Sequence, residues 1–396
     1  LKQKILFVID SLDCAGAEKS LVTLLNLLDY KKYNVDLMLF AHGKVLEELV
    51  PPEVNILKPL KYTLFSQMAL IESAKYSLKK FDFKMLAART RYSIRIRKNK
   101  CSNAQKARMF WEEISPVIEE NSTTYDIAIS YAQGVPTFYI AEKVKAKKKF
   151  AWVNVSYRLE QKDKDFQKHF YDKFNKIVAV SDSTKEVFLE TFPQYSNYVD
   201  VIYDINNPEF ITNMAELGEN QEDEFDGIKI LTIGRLAHQK GYDVALEACK
   251  KLKDKGIKFK WYVLGKGPLR EEIEKYICKN DLTDYFILLG VKANPYPYIK
   301  NSDLYVQTSR FEGFGLAIAE ARMLNVPVVT TEFDAVYNQM LHEKNGLVVE
   351  RNAVAVCEAI LRIINDHELR KSIINYLQNE KKGNTEEIEK FYRLIC

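Results

Sequence analysis

Short runs of apolar residues alternate with amphipathic segments of helix length, and they do so in two separate blocks of this chain. In the first block ILFVI (5–9), VDLMLF (35–40), DIAIS (126–130), KKFAWVNV (148–155) and KIVAV (176–180) read as buried strands, with AEKSLVTLLNLLD (17–29) as a crossover. In the second, IKILTIG (228–234), FKWYVLG (259–265), YFILLG (285–290), DLYVQTS (303–309) and VPVVTT (326–331) repeat the pattern, with YDVALEACKKLKDKG (242–256) and PLREEIEKYICKN (268–280) between them. Strands that are apolar throughout are buried on both faces, which is the signature of a parallel sheet. Parallel neighbours need long crossovers, usually helices. The expected fold is therefore α/β, with two doubly wound domains. A chain of 396 residues also exceeds the size at which one core stops growing.

Composition narrows the class. With 58 basic and 54 acidic residues, the net charge of +4 does not by itself call for nucleic acid. No apolar run approaches the roughly 20 residues of a membrane span. LKQKILFVID reads as a first buried strand ending at Asp10, not as a signal peptide. Cys14, Cys101, Cys249, Cys278, Cys357 and Cys396 are scattered, without CxxC pairs or a His partner at metal spacing. That pattern fits a reducing cytosol and predicts no metal site. YDINNPEF (203–210) reads as a hinge, because Pro208 and the paired asparagines stop regular structure. The acidic stretch AELGENQEDEFDG (215–227) reads as a linker or as a solvated loop heading the second domain.

From Lys79 to Arg108 eleven basic residues stand against Asp82 alone, interleaved with Phe81, Phe83, Ile94, Ile96 and Trp111. Three readings apply. The run is a solvated basic helix, a surface for anionic lipid headgroups, where each cation is worth about 1 kcal/mol, or an RNA-binding face with stacking aromatics. The reading adopted is the anionic membrane surface over 79–108, with no nucleic acid.

Three segments carry candidate chemistry. GAEKSL (16–21) follows the first strand, where an open α/β sheet binds ligands, and Gly16 would let a ligand approach the backbone. In TIGRLAHQKGYDVALEA, Gly234 ends a strand and Arg235 and Lys240 follow on one loop, two cations suited to a diphosphate. Each segment alone also reads as a tight turn or as surface cations. In SRFEGFGLAIAEA, Gly313 and Gly315 lead into a helix whose first N–H groups would meet an anion. Glu320 lies one turn into that helix, on the face of Leu316, where a ribose would supply hydroxyls. Glu312 precedes the anion site and would meet whatever the phosphate carries.

These residues carry a resemblance. Glu312-GFGLAIA-Glu320 is similar to the E-x7-E signature of family 4 glycosyltransferases, and GRLAHQKGYDVALEA resembles the same family's G-R-L…K-G…A segment. VLGKGPLREEIE and NGLVVE (345–350) stand where that family has its V-x-G-x-G-P and N-G-x-L-V elements, over residues 228–365, with looser likeness over 1–200. The resemblance implies two facing Rossmann-like domains, the GT-B arrangement, with the donor in an interdomain cleft. It implies sugar transfer from a nucleotide diphosphate with retention, without a divalent metal or other cofactor. The expected domains are 1–207 for the acceptor, with a C-terminal helix 384–396 packing back on it, and 208–383 for the donor.

Carried over, Arg235, Lys240 and Glu312 form the catalytic set. Gly16, Gly234, Phe314, Gly315, Leu316 and Glu320 bind the donor, most simply a UDP-sugar. The acceptor is expected to be a glycan or lipid-linked precursor of a cell-surface polysaccharide, handled at the cytoplasmic face of the membrane. Two positions depart from the family. Ala15-Gly16 replaces Gly-Gly, and Asn154 stands where relatives carry His, so an amide that takes no proton replaces an imidazole. Asn154 is assigned a sugar contact. It also keeps open a second reading, a non-catalytic nucleotide-sugar-binding subunit supporting a partner enzyme. A glycan phosphorylase would need a lysine marked for pyridoxal phosphate, and a dehydrogenase would need G-x-G-x-x-G after the first strand. Asp163 and Asp165 of the DKD triplet read as surface charges.

Overall fold

The computed structural model describes residues 2–13, 16–81, 83–97, 101–154, 159–216, 225–292, 294–312, 315–333 and 336–396. The chain divides into two units, Leu1–Ile205 with Glu386–Cys396, and Asn206–Thr385. In the first, β1 (Gln3–Ser11), β2 (Tyr33–Ala41), β3 (Val54–Ile56), β4 (Thr124–Ser130), β5 (Lys145–Val153), β6 (Lys176–Ala179) and β7 (Val199–Val201) form one sheet. Its order is β3-β2-β1-β4-β5-β6-β7 and every pairing is parallel.

In the second unit, β8 (Ile228–Ile233), β9 (Phe259–Leu264), β10 (Phe286–Gly290), β11 (Leu304–Gln307), β12 (Val328–Thr331) and β13 (Gly346–Val349) form another. Its order is β10-β9-β8-β11-β12-β13, again all parallel. Both are Rossmann-like, and each order reverses once, between β1 and β4 and between β8 and β11. Loops leaving the carboxyl ends of those strands diverge and leave a crevice for ligand.

All ten apolar runs of the sequence become strands. β3, β7 and β13 have no counterpart among them, since each is only three or four residues long at a sheet edge and too short to show a pattern. Side chains alternate between sheet faces as the pleat requires. Ile230, Val306 and Val329 enter one buried cluster of the second unit, and their neighbours Leu231, Tyr305 and Val328 enter the other.

Pro208 opens a helix, Pro208–Glu216, where the sequence suggests a break. Asn207 Oδ1 accepts from the N–H groups of Glu209 (3.1 Å) and Phe210 (3.3 Å). Asn207 thus caps the helix, and proline at its first position forfeits no hydrogen bond. Most of the acidic stretch, residues 217–224, lies outside the described residues.

Asp163 corrects the reading of the DKD triplet. It is buried and accepts from Arg108 Nε at 2.6 Å, because positions 163, 167 and 170 share the inward face of the helix Gln161–Tyr171. The arginine run is also partly spent inside the protein. Arg91 and Arg95 pair with Glu113 at 2.7 and 2.8 Å, Arg95 also meets Glu112 at 2.5 Å, and Arg89 donates to the Phe65 and Met68 carbonyls. Among the described residues no helix is long and apolar enough to cross a membrane.

After the second unit the chain returns to the first as the helix Glu387–Ile395. Phe391 stacks on Phe7 at 6.2 Å and lies 6.1 Å from Trp152, while Tyr392 stacks on Tyr33 at 6.0 Å. The Tyr392 hydroxyl accepts from the Asp29 N–H at 3.0 Å. Replacing Phe391 by Ala should lower the stability of the first unit by about 3–5 kcal/mol, read as a shift in its urea midpoint. An unchanged midpoint would mean that the terminal helix is an ornament of that unit.

Candidate functional site

The reversal between β8 and β11 brings two loops together. β8 leads through Gly234 and Arg235 to a short 3₁₀ turn, His238–Lys240, and then to the helix Tyr242–Asp254. β11 leads through Thr308 and Glu312 to the helix Leu316–Met323. The Arg310 N–H donates to the Gln239 carbonyl at 2.7 Å, and Thr308 Oγ1 donates to the carbonyls of Lys240 (3.0 Å) and Gly241 (2.9 Å). Gly241 has φ +63°, and a Cβ there would stand 2.0 Å from the Thr308 carbonyl. Only glycine permits so close an approach.

Across this seam Lys240 Nζ donates to Glu312 Oε1 at 2.5 Å. The same oxygen accepts from Ser309 Oγ at 2.5 Å and Gln307 Nε2 at 2.8 Å. Gln307 is itself oriented by the Tyr305 hydroxyl, which donates to its Oε1 at 2.7 Å. One oxygen of Glu312 is thus fixed by an ammonium and two neutral donors, and no described residue hydrogen-bonds Oε2. Charge-assisted bonds of this kind are the strong ones, so the carboxylate has one position. The sequence reading assigns Lys240 to phosphate alone; the structure also makes it the partner of Glu312. Gln307 and Ser309 are site residues the sequence reading does not assign. A glutamine closing the apolar run DLYVQ is the signal that could have marked the first.

Arg235 is exposed and its guanidinium has no hydrogen-bond or ion-pair partner among the described residues. Gly234 is held by the Tyr242 hydroxyl, which donates to its carbonyl at 2.9 Å. Gly315, at φ +84°, caps the helix that begins with Leu316, whose first N–H groups lack intrahelical acceptors. Glu320, one turn on, is buried and accepts from the Tyr296 hydroxyl at 3.3 Å. Phe314 lies outside the described residues.

In the first unit a second polar group gathers at the carboxyl ends of the strands. Gly16 opens the helix Gly16–Leu27 directly after β1. Ser20 Oγ lies 3.0 Å from the Tyr131 hydroxyl, and Asn154 Nδ2 donates to the Tyr131 carbonyl at 2.6 Å. Asn154 Oδ1 is shielded from solvent without a partner among the described residues. Asp10, at the end of β1, keeps an open side, yet the protein atoms around its carboxyl, and then Glu18, push its pKa up to about 7. Burial raises Asp204 to about 6, against a Ser20 hydrogen bond that pulls the other way. None of these acids is among the residues singled out in the sequence, although Asp10 closing the first strand was visible there.

A carboxyl whose folded pKa is raised binds its proton more tightly folded than unfolded. Its contribution therefore falls as pH rises from about 4 through about 6. Asp204→Asn should stabilise the first unit by about 1–2 kcal/mol at pH 8 and leave it nearly unchanged at pH 4. Urea denaturation at the two pH values checks this; equal effects at both would be inconsistent with the buried carboxyl.

Residues 214–380, all within the second unit, match the family model described as glycosyl transferases group 1. Among curated relatives, the amylovoran biosynthesis glycosyltransferase AmsK of Erwinia amylovora is 31% identical over 145 residues, 34% of this chain and 36% of that protein. The N-acetylgalactosamine-N,N'-diacetylbacillosaminyl-diphospho-undecaprenol 4-alpha-N-acetylgalactosaminyltransferase of Campylobacter jejuni is 26% identical over 215 residues, 54% of this chain and 57% of that one. The chain spans between 35% and 64% of the length of the curated relatives it matches. Among solved structures, Anabaena HepE in complex with UDP and glucose superposes with a TM-score of 0.68 at 17% identity, covering 99% of this chain and 98% of that one. That likeness carries the fold, two Rossmann-like units of the GT-B class. The second unit thus carries a segment similar to the glycosyl transferases group 1.

Proposed function

We propose that the chain is a retaining glycosyltransferase that moves a sugar from a UDP-sugar to a glycan or lipid-linked acceptor in the making of a cell-surface polysaccharide. The observation that carries this reading is the Lys240–Glu312 pair at the β8/β11 reversal, with the unpaired Arg235 on the same loop as Lys240. As the bond from the anomeric carbon to the diphosphate breaks, charge grows on the departing nucleotide. Arg235 and Lys240 stand ready to meet it, and one preorganised donor of this kind is typically worth about 3–4 kcal/mol. Glu312 Oε2 is left to accept from a sugar hydroxyl, the Gly315–Leu316 backbone to meet phosphate, and Glu320 the ribose.

The donor class is supported by HepE, crystallised with UDP and glucose. The acceptor class is supported by the Campylobacter relative, named for a diphospho-undecaprenol substrate, and by AmsK, named for amylovoran biosynthesis. A lipid-linked acceptor implies work at the inner face of the cell membrane. Asn154, an amide already donating to Tyr131, favours one second reading: a subunit that binds the nucleotide sugar and leaves transfer to a partner.

A panel of UDP-, GDP- and ADP-sugars, scored by thermal shift and by hydrolysis, tests the reading. Arg235→Ala and Lys240→Ala should each lower kcat/KM at least about tenfold. Arg235→Ala should leave thermal stability nearly unchanged, because its exposed guanidinium makes no hydrogen bond or ion pair with a described residue. Lys240→Ala should lower it, because a part-buried Glu312 loses its cation. Wild-type rates in both variants would remove the assignment. UDP-sugar binding without turnover would favour the second reading.

The proposal includes metal-independent catalysis, in which fixed cations do the work of a divalent ion. Turnover in excess EDTA should persist. Its loss, restored by Mn²⁺ or Mg²⁺, would overturn that part.

A further inference from the structure

The helices inserted between β3 and β4 are partly inside out. In Leu70–Lys80 the buried face carries Ser73 and Ser77, four residues apart, and Ser77 Oγ has no hydrogen-bond partner among the described residues. Leu70, Ile71 and Leu78 point outward instead, at 62%, 72% and 60% exposure. Phe81 ends the helix in the left-handed region, φ 51°, and is 89% exposed. On a helix, residues four apart share a row. Leu70, Ala74 and Leu78 make one row; Ile71, Lys75 and Lys79 make the next. Lys75, Lys79 and Lys80 are exposed and paired with no described carboxylate. Glu72 is turned to the Ala69 N–H, 3.1 Å away. Large apolar groups held out in a group and rimmed by charge mark a surface that meets something apolar.

We propose that Leu70, Ile71, Leu78 and Phe81, flanked by Lys75, Lys79 and Lys80, form the face by which the chain enters the interface of a bilayer carrying anionic lipids. The apolar side chains take the acyl boundary and the lysines take headgroup phosphates, the division expected of an interfacial helix. Charge selects this occupant. A second copy docked face to face would set the lysines against each other. RNA would ask for stacking platforms, and leucine and isoleucine offer none. The inference deepens the membrane-linked reading above, and rests on it for its setting, but moves the contact. Arg91 and Arg95 are held by Glu112 and Glu113; the working surface is the preceding helix.

The test is flotation of the full chain with phosphatidylcholine vesicles, with and without phosphatidylglycerol, at low and high salt. Wild type should bind the anionic vesicles and release as salt shortens screening below about 8 Å. The variant Leu70→Gln/Ile71→Gln/Leu78→Gln/Phe81→Gln should lose at least about tenfold in partitioning, and Arg91→Ser/Arg95→Ser should stay within about twofold of wild type. All four glutamine positions are exposed, and an unchanged urea midpoint of the first unit in that variant would show that it remains folded. Absence of wild-type binding, or equal binding by the glutamine variant, would overturn the proposal. So would a wild-type dimer that the glutamine variant dissolves, or retention on an RNA homopolymer without vesicle binding. Failure of UDP to bind wild type would sink the donor-site reading and leave the vesicle result standing.

Discussion

Parallel pairing is the constraint on which the rest depends. Each parallel neighbour must be reached by a crossover, and crossovers are right-handed in nearly all cases. Strand order in each unit therefore grows outward one way from its first strand and then returns to grow the other. The reversal leaves adjacent strands whose outgoing loops would otherwise be covered. Between β8 and β11 those loops carry Arg235 and Lys240 on one side and Glu312 on the other. The ion pair across them is a consequence of sheet topology, since the two residues are 72 positions apart.

That seam is rigid for reasons visible in its atoms. Gly241 has no Cβ to keep the loops apart, Thr308 spans two carbonyls, and Gln307 and Ser309 share the oxygen that Lys240 holds. A carboxylate with one oxygen so fully engaged cannot rotate freely, and its other oxygen is aimed. Preorganisation of this sort is what an electrostatic site needs, because dipoles already in place cost no reorganisation when charge develops. The exposed Arg235 is of a different kind, a cation whose side chain is paired with no described residue.

Charge elsewhere is divided between inside and outside. Arg108 enters a buried pair with Asp163, and Arg91 and Arg95 bind Glu112 and Glu113, so much of a run that looks like a surface ribbon holds helices to one another. The helix Leu70–Lys80 does the reverse, spending serines on its inner face and showing leucine, isoleucine and lysine outside. Neither arrangement is favourable for an isolated surface, and together they separate a packing role for the arginines from an outward role for the lysines.

Periodicity in the sequence was enough to determine the α/β class, the two blocks and ten of the strands, because burial on both faces leaves a continuous apolar run that needs no partner to be recognised. Spacing also singled out Arg235, Lys240, Glu312 and Glu320 as candidates, since the loop and helix that carry them are local. Tertiary structure alone decided which polar groups meet: Lys240 with Glu312, Arg108 with Asp163, and Tyr392 with the Asp29 backbone. It alone decided that Asp163 is buried, that Pro208 starts a helix, and that Leu70–Lys80 packs by its serines. The physical reason is range. A local pattern reports how often a position faces inward, whereas the identity of a partner depends on which distant segments the sheet order brings side by side.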